Sequence, residues 1–542
     1  EINLGSYGHW KRVHLSIEYS VPCRTAKRRF CFRERQMVQF LIQFAQQHVD
    51  FELAELDSVL KLCGVDAPRT LYDATEHDAH STHPFLEITL PSVEIAKAVS
   101  ERAVLIKRIY ELWATAEDGK LETLVSKVRE VAAAKETNGF ARLCDATLSW
   151  SLKVSGFGRK IALADQEAIR ATFTFVPLNG PVSIRGADNT FWVVTDFVRD
   201  PKLSGAEVPV PRKRFYAREV GTGPRHLLKE HSLKKRRFLG PTTMDAELSL
   251  VMANMGLVRP GLVAFDPYVG TGSLLVACAQ FGATCMGADI DMRILRGKGA
   301  GKTMRDNFEQ YGLPLPELVR ADLSPRGATV FSFWDRSARA GVSTSDWRPP
   351  TPFIGAIVCD PPYGIRAGAR KSGSRYAEVK VIAEEHREGH IPQTQPYSAV
   401  EVMRDLLELA ARSVVVGGRL VYLIPVDREE YDPRALPTHP CLELVANSEQ
   451  ILGYTLSRRL ITMEKTRDYC RADYDRFKAV LSGSTTEEGA AAASSFYSDF
   501  GVKHERRQKR QRLEEAEAAA AAAAAAGGGG GGGGATAASV EE

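Results

Sequence analysis

From about residue 262 onward, apolar runs of strand length recur without alternation, and each ends in an acid. They run from Leu262 to Asp266, Thr284 to Asp289, Glu317 to Asp322 and Phe353 to Asp360. Unalternated apolar runs of this length are the mark of strands buried on both faces, as in a parallel sheet covered by helices. Helical periodicity follows the first run from Ser273, through Leu274, Leu275, Ala277 and Cys278, and returns between Ser398 and Val416. Three further runs, Leu420 to Pro425, Leu442 to Val445 and Leu460 to Met463, complete a sheet for which the pattern predicts seven strands, the last antiparallel. The fold class is α/β, a Rossmann-like, mostly parallel sheet over residues 239–482.

The first half of the chain alternates differently. Met37, Phe40, Leu41, Phe44 and Val49 recur at three- and four-residue spacing and predict a helix from Gln36. Phe51 to Leu53 and Pro84 to Leu90 read as strands, with a helix from Ala54 to Leu62 closed by Gly64. Pro91-Ser92 opens another helix to about Ala98, and a strand follows from Val104 to Ile109. This alternation suggests a small ferredoxin-like α+β unit over 36–115. A second α+β unit, 116–211, is built from a helix at Leu121 to Ala134, a strand at Trp150 to Val154, a helix from Asp165 and a strand at Phe191 to Asp196.

Composition adds limits. With 542 residues, 44% hydrophobic and 25% charged, the chain has enough material for several packed domains. The nine cysteines include no Cys-x-x-Cys pair, which argues for a reducing compartment and against a disulfide framework or structural zinc; no metal site is expected. No apolar run reaches membrane length, and no secretory signal is apparent in a chain that begins at Glu1. Residues 1–35 read as a basic, disordered extension, and 483–542 as a low-complexity tail of alanine and glycine runs preceded by Arg506 to Arg512. The most basic stretch is 212–238: Arg212, Lys213, Arg214, Arg218, Arg225, Lys229, Lys234, Lys235, Arg236 and Arg237 face only Glu219 and Glu230. It reads as a linker that tracks RNA phosphates, with a solvated linker as the alternative.

The chemistry concentrates where the strands end. After Asp266, Pro267-Tyr268-Val269-Gly270-Thr271-Gly272 is a tight glycine loop leading into a helix, a frame in which backbone can approach a ligand closely. After Cys359 comes Asp360-Pro361-Pro362-Tyr363; two prolines cannot continue a ladder, so the chain leaves the sheet with a carboxylate, prolyl carbonyls and an aromatic ring at the strand end. A strand ending in a plain proline turn is the alternative for the second motif.

These segments resemble the S-adenosylmethionine-dependent amino-methyltransferases, whose Asp-Pro-Pro-Tyr motif holds the exocyclic amine of a nucleobase. The resemblance implies catalytic roles for Asp360, Pro361, Pro362 and Tyr363. It implies cofactor contacts for Asp266, Pro267, Tyr268, Gly270 and Gly272, for Asp289 at the ribose and Asp322 at the adenine, and for Thr242 and Thr243 at the amino-acid end. From Gln36 to Lys465 the chain is similar to the eukaryotic tRNA guanosine-N2 methyltransferases acting at position ten, through Lys235-Arg236-Arg237-Phe238, Thr243-Met244-Asp245, Gly287-Ala288-Asp289 and Ser457 to Lys465 besides the motifs above. The N-terminal units resemble the THUMP module with its ferredoxin-like partner. The family implies S-adenosyl-L-methionine as cofactor, tRNA as substrate and a small zinc-binding activator subunit as partner, in the cytoplasm. RNA contacts are expected from Arg212, Lys213, Arg214, Lys234, Lys235, Arg236 and Arg237, and from Arg370 and Lys371 in the loop after the motif. Two other readings stay open at this stage: an adenine N6 methyltransferase, since the motif serves both bases, and a catalytically silent tRNA-binding scaffold.

Overall fold

The structure is a computed structural model that describes residues 37–76, 83–198, 209–297, 301–324, 351–362, 369–373 and 394–482. The basic extension, the insert around 325–350, Tyr363 and the tail lie outside the described residues.

The N-terminal part is one six-stranded sheet rather than two units. Its strands are β1 (Val38–Phe44), β2 (Phe85–Leu90), β3 (Ile106–Ala116), β4 (Trp150–Phe157), β5 (Asn189–Val198) and β6 (Val210–Thr222), in the order β2-β1-β3-β6-β5-β4. Every neighbouring pair is antiparallel except β4 with β5. Three expectations are corrected here. The segment from Gln36 is strand β1, not a helix: it lies between β2 and β3, so it is buried on both faces and its apolar residues lose the alternation that marks a half-exposed strand. Residues 212–222 are strand β6, not a linker. The segment bonds to β3 on one side and β5 on the other and so joins the two expected units into one sheet, with the 115/116 and 211/212 boundaries falling inside strands. Phe51 to Leu53, expected as a strand, begins the helix Glu52–Leu62.

The second domain is a seven-stranded sheet. It contains β7 (Val263–Asp266), β8 (Thr284–Asp289), β9 (Glu317–Arg320), β10 (Ile354–Cys359), β13 (Val414–Asp427), β14 (Leu442–Ile451) and β15 (Leu456–Lys465), in the order β14-β15-β13-β10-β7-β8-β9. Strands β11 (Arg370–Ser372) and β12 (Thr394–Pro396) pair with each other apart from it. From β13 to β9 all neighbours are parallel, and β15 runs against both β13 and β14. Six consecutive buried residues in β10 account for its unbroken apolar run.

The two domains share a core. Phe51, Ala54, Val104 and Leu105 of the first pack with Leu248, Val251 and Met255 on the helix Ala246–Met255 of the second. The joint carries a buried polar network. The Glu55 carboxylate accepts the amides of Val104 (3.0 Å) and Leu105 (2.8 Å) and the Asn254 side-chain amide (2.7 Å), while Arg102 donates to Asn254 and to the Val258 carbonyl. Arg419 bonds both Ser58 and the Met255 carbonyl, each at 2.9 Å. Burial raises the Glu55 carboxyl above its ordinary value, so these donors are what make its position tolerable.

Candidate active site

The sheet order places a topological switch between β7 and β10. From β7 the chain proceeds outward to β8 and β9, then returns to the other side of β7 as β10. In open α/β sheets, ligands sit beyond the carboxyl ends of the strands at such a point. Four acids occupy those ends here: Asp266 closes β7, Asp289 closes β8, Asp322 lies two residues past β9 and Asp360 directly follows β10. Ala356 pairs with Ala264 and Ile357 with Phe265, so Asp360 projects two residues beyond the level of Asp266.

Asp266 is 2% exposed and accepts the Tyr268 amide at 3.0 Å. Desolvation holds its carboxyl well above the usual carboxylate range, and the negative charges of Asp289 and Asp360 push it further the same way. Asp289 is half-buried. It accepts the amides of Gly270 (3.1 Å) and Asp291 (2.8 Å), and burial also raises its carboxyl. Two acids close enough to act on the buried Asp266 concentrate negative charge at this strand end, an arrangement that favours a cation.

The glycine loop is tied down at Val269, which donates to the Ala288 carbonyl at 2.9 Å, and at Gly272, which donates to Val269 at 2.8 Å. Gly270 (φ 49°) and Gly272 (φ 77°) are both in the left-handed region. A β-carbon on Gly272 would fall 2.5 Å from Met304 Sδ, so that glycine is required by packing. One on Gly270 would meet nothing nearer than 3.8 Å, which makes Gly270 the open side of the cradle. Pro267 is buried, and the Tyr268 hydroxyl is buried with no hydrogen-bond partner among the described residues.

The other expected residues divide. Thr243 Oγ1 accepts the Gly240 amide (2.7 Å) and lies 3.1 Å from Thr271 Oγ1, folding the 240–243 segment onto the glycine loop; Thr242 is exposed. The helix that follows is capped by Asp245, which accepts the Leu248 amide, and not by either threonine. Asp322 accepts the amides of Ser324 (2.9 Å) and Ser372 (2.6 Å), which ties β11 to the end of β9; the Ser372 donor is a backbone amide, which no residue type announces. Pro361 is buried and Pro362 half-buried behind Asp360.

The expected RNA-contacting set is the least uniform. Arg212 pairs with Asp196 at 2.7 Å, Lys213 with Glu117 at 2.9 Å, and Arg214 donates to the Gly119 carbonyl at 2.6 Å. As members of a central strand these three are engaged in holding the sheet. Arg236, expected at the surface with its neighbours, is buried instead, and its Nη1 donates to Ser273 Oγ at 2.6 Å. Lys234, Lys235 and Arg237 are exposed. Arg370 is exposed and bonds Thr394, and Lys371 pairs with Glu401 at 2.8 Å. Among the described residues no group of three or more His, Cys, Asp or Glu side chains is arranged to hold a metal ion, and no helix is long and apolar enough to cross a membrane.

Residues 38–225 match the family profile described as the Tmrp11 THUMP N-terminal domain. The solved structure of TrmN from Thermus thermophilus aligns with 79% of this chain and 99% of its own, at 16% identity and a TM-score of 0.36. The proteins named tRNA (guanine(10)-N(2))-methyltransferase TRMT11 from Homo sapiens and Xenopus laevis are 36% and 35% identical, over 82% and 83% of this chain and 91% and 87% of their own. The protein of that name from Dictyostelium discoideum is 35% identical over 80% of this chain and 83% of its own. This chain belongs to the tRNA (guanine(10)-N(2))-methyltransferase family.

Proposed function

We propose that the chain transfers a methyl group from S-adenosylmethionine to the exocyclic N2 amine of guanosine ten in tRNA. The observation that carries this reading is the crowding of Asp266, Asp289 and Asp360 at the switch between β7 and β10. The donor set fits the cofactor: a cluster of carboxylates for its positive charges, an open cradle at Gly270 for close approach, and a half-buried acid at the end of β8 for ribose hydroxyls.

When bound, S-adenosylmethionine supplies a methyl group activated by a sulfonium. Asp266 would hold its ammonium group, Asp289 its ribose hydroxyls and Asp322 its adenine amine. The guanine amine is a poor nucleophile because its lone pair is delocalised into the ring. Asp360 and a carbonyl of Pro361 or Pro362 accept its two N–H bonds and aim that lone pair; such alignment supplies ~7–11 kcal/mol of the barrier reduction when it is good. The Asp360 carboxylate receives the proton that the amine sheds. Tyr363, assigned by the motif, stacks on the base once it has left the tRNA helix, at a cost of a few kcal/mol. The exposed Lys234, Lys235 and Arg237 contact phosphates, and a small zinc-binding activator subunit completes the cytoplasmic enzyme.

The test is mass spectrometry of nucleosides after incubation of the full chain, with and without the activator, with unmodified tRNA and cofactor. N2-methylguanosine at position ten is the expected product. N6-methyladenosine in its place would transfer the reading to the adenine enzymes, and cofactor binding without any methylation would leave a scaffold.

A further inference from the structure

Two thiols meet on one carboxylate at the start of the last described helix, Arg471–Ser482. Cys441 directly precedes β14 and Cys470 directly precedes that helix, so the two are remote in sequence. The Cys470 thiol donates to Asp473 Oδ2 at 3.1 Å, and the Cys441 thiol donates to the same oxygen at 3.5 Å. That carboxylate is pinned. It accepts the Cys470 amide at 2.9 Å, Arg467 bonds both of its oxygens at 2.8 Å, and Arg476 reaches Oδ1 at 3.2 Å. The Arg467 bonds above all hold the Asp473 carboxyl well below the usual carboxylate range, so it stays ionised as an acceptor for both thiols. The backbone is fixed too: the Thr466 amide donates to the Cys441 carbonyl at 3.0 Å, next to the β14–β15 ladder.

The two cysteines differ in access. Cys441 is buried with Ala411, Tyr469 and Tyr474, and burial pushes its thiol up to about 12. Cys470 is the one exposed cysteine among the described residues, and Arg467 Nη1 lies 3.9 Å from its sulfur. An accessible thiol beside a guanidinium, with a second thiol in reach, is the arrangement that oxidants select. Methyl transfer makes no use of it. Leu442 pairs with Lys465, whose neighbour Glu464 pairs with Arg419 near the start of β13, so the thiols lie at the amino edge of the sheet. The acids of the switch point lie at its carboxyl edge.

We propose that Cys441 and Cys470 are a reversible modification site, at which hydrogen peroxide forms a disulfide that fastens the Arg471–Ser482 helix to the start of β14. In the first step the Cys470 sulfur attacks one peroxide oxygen and the O–O bond breaks. Cys470 becomes a sulfenic acid, and its thiol proton leaves with the other oxygen as water. In the second step the Cys441 sulfur attacks the sulfenic sulfur and the S–O bond breaks. The departing hydroxide takes up the Cys441 proton as a second water. Two electrons pass from the two sulfurs to the peroxide. Asp473, bonded to both thiols, orients them for the second step, and it keeps Arg467 and Arg476 as partners once the thiols are consumed. Closing this loop restricts the helix when it detaches, so the helix opens less often.

The test treats the full chain with a small excess of hydrogen peroxide, blocks the remaining thiols with N-ethylmaleimide and maps the tryptic peptides by mass spectrometry. The expected product is a linked pair of peptides containing Cys441 and Cys470, lighter by two hydrogens than the separate peptides and released by dithiothreitol. Under native conditions trypsin should cut after Arg476 and Lys478 several-fold more slowly in the oxidised protein than in the reduced one. In Cys441→Ser no link should form, and dimedone should trap the sulfenic acid on Cys470, while cofactor binding and methylation stay as in the wild type. Cys470 oxidised to the sulfinic acid with Cys441 still open to alkylation would overturn the proposal. So would a disulfide from either residue to a third cysteine, or the absence of oxidation at both. The wild-type map decides between these outcomes whether or not the variant folds.

Discussion

In the first sheet, Glu111 is buried beneath two guanidiniums, those of Arg218 (2.8 Å) and Arg142. At the end of the second sheet, Asp266 is buried as deeply, accepts the amide of Tyr268, and lies close enough to Asp289 and Asp360 to be repelled by both. The first arrangement pairs its charges within the chain: Asp196 with Arg212, and Lys213 with Glu87 and Glu117, follow the same pattern. The second concentrates like charge, and among the described residues no Lys or Arg forms an ion pair with Asp266 or Asp289. Paired charge of the first kind serves to hold strands in register. Concentrated charge of the second kind lowers stability, and its retention at the sheet's switch point is what a cationic ligand requires.

If the carboxylates at the switch point serve chemistry and binding, their removal should cost activity and not fold. The largest effect is expected for Asp360→Ala: turnover should drop by about 10²–10³-fold or more, the scale seen for removing one group that stabilises a transition state, with S-adenosylhomocysteine binding retained. Steady-state methylation of tRNA beside calorimetry measures both, and turnover like that of the wild type would erase the distinction between the two regions. The opposite behaviour is expected for Glu111→Gln. Removing the acid leaves Arg218 largely buried without its charge partner, so denaturant unfolding should show a loss of about 3 kcal/mol, with cofactor affinity unchanged.

Asp266→Asn sharpens the contrast, because it should raise stability while weakening cofactor binding. Burial lifts the folded carboxyl above its ordinary value of 3.8. A group raised in this way stabilises the fold only while it stays protonated. The penalty for ionising it is absent below pH 3.8, grows as pH rises through the folded value and is complete above that value. The asparagine variant escapes it, so its unfolding free energy should exceed that of the wild type by roughly 1–2 kcal/mol at neutral pH, and the two should converge at pH 3.8. Equal stability at neutral pH would mean that the carboxylate is answered by a charge elsewhere. The smallest effect is expected from Lys235→Ala: tRNA affinity should decline by a small factor for all tRNAs alike, and the salt slope of binding should shrink by about one unit or less.

The catalytic sheet was legible because its strands lie in the interior of a parallel sheet. Runs such as Ile354–Cys359 are apolar throughout, and the acid that ends each run marks the sheet's carboxyl edge. The glycine loop was legible for a similar local reason, since left-handed backbone at Gly270 and Gly272 restricts the residue type. What failed to show were features whose partners are remote in the chain. Strand β6 presents Arg212, Lys213, Arg214 and Arg218 in close succession, and only Asp196, Glu117, Gly119 and Glu111, brought from other strands and turns, make those charges part of a sheet. Strand β1 has apolar residues on both faces, so its spacing fits a helix as well as a strand until β2 and β3 flank it. Arg236 sits in a run of four basic residues, and nothing local separates the one turned inward from its exposed neighbours.

The place of β6 bears on how the molecule is made. It is the last strand of its sheet to be synthesised, yet it occupies a middle position, between β3 and β5. A chain emerging from the ribosome therefore holds two half-sheets, β2-β1-β3 and β5-β4, with exposed inner edges until Thr222 is out. Any fragment that stops short of that residue would leave those edges open to other chains.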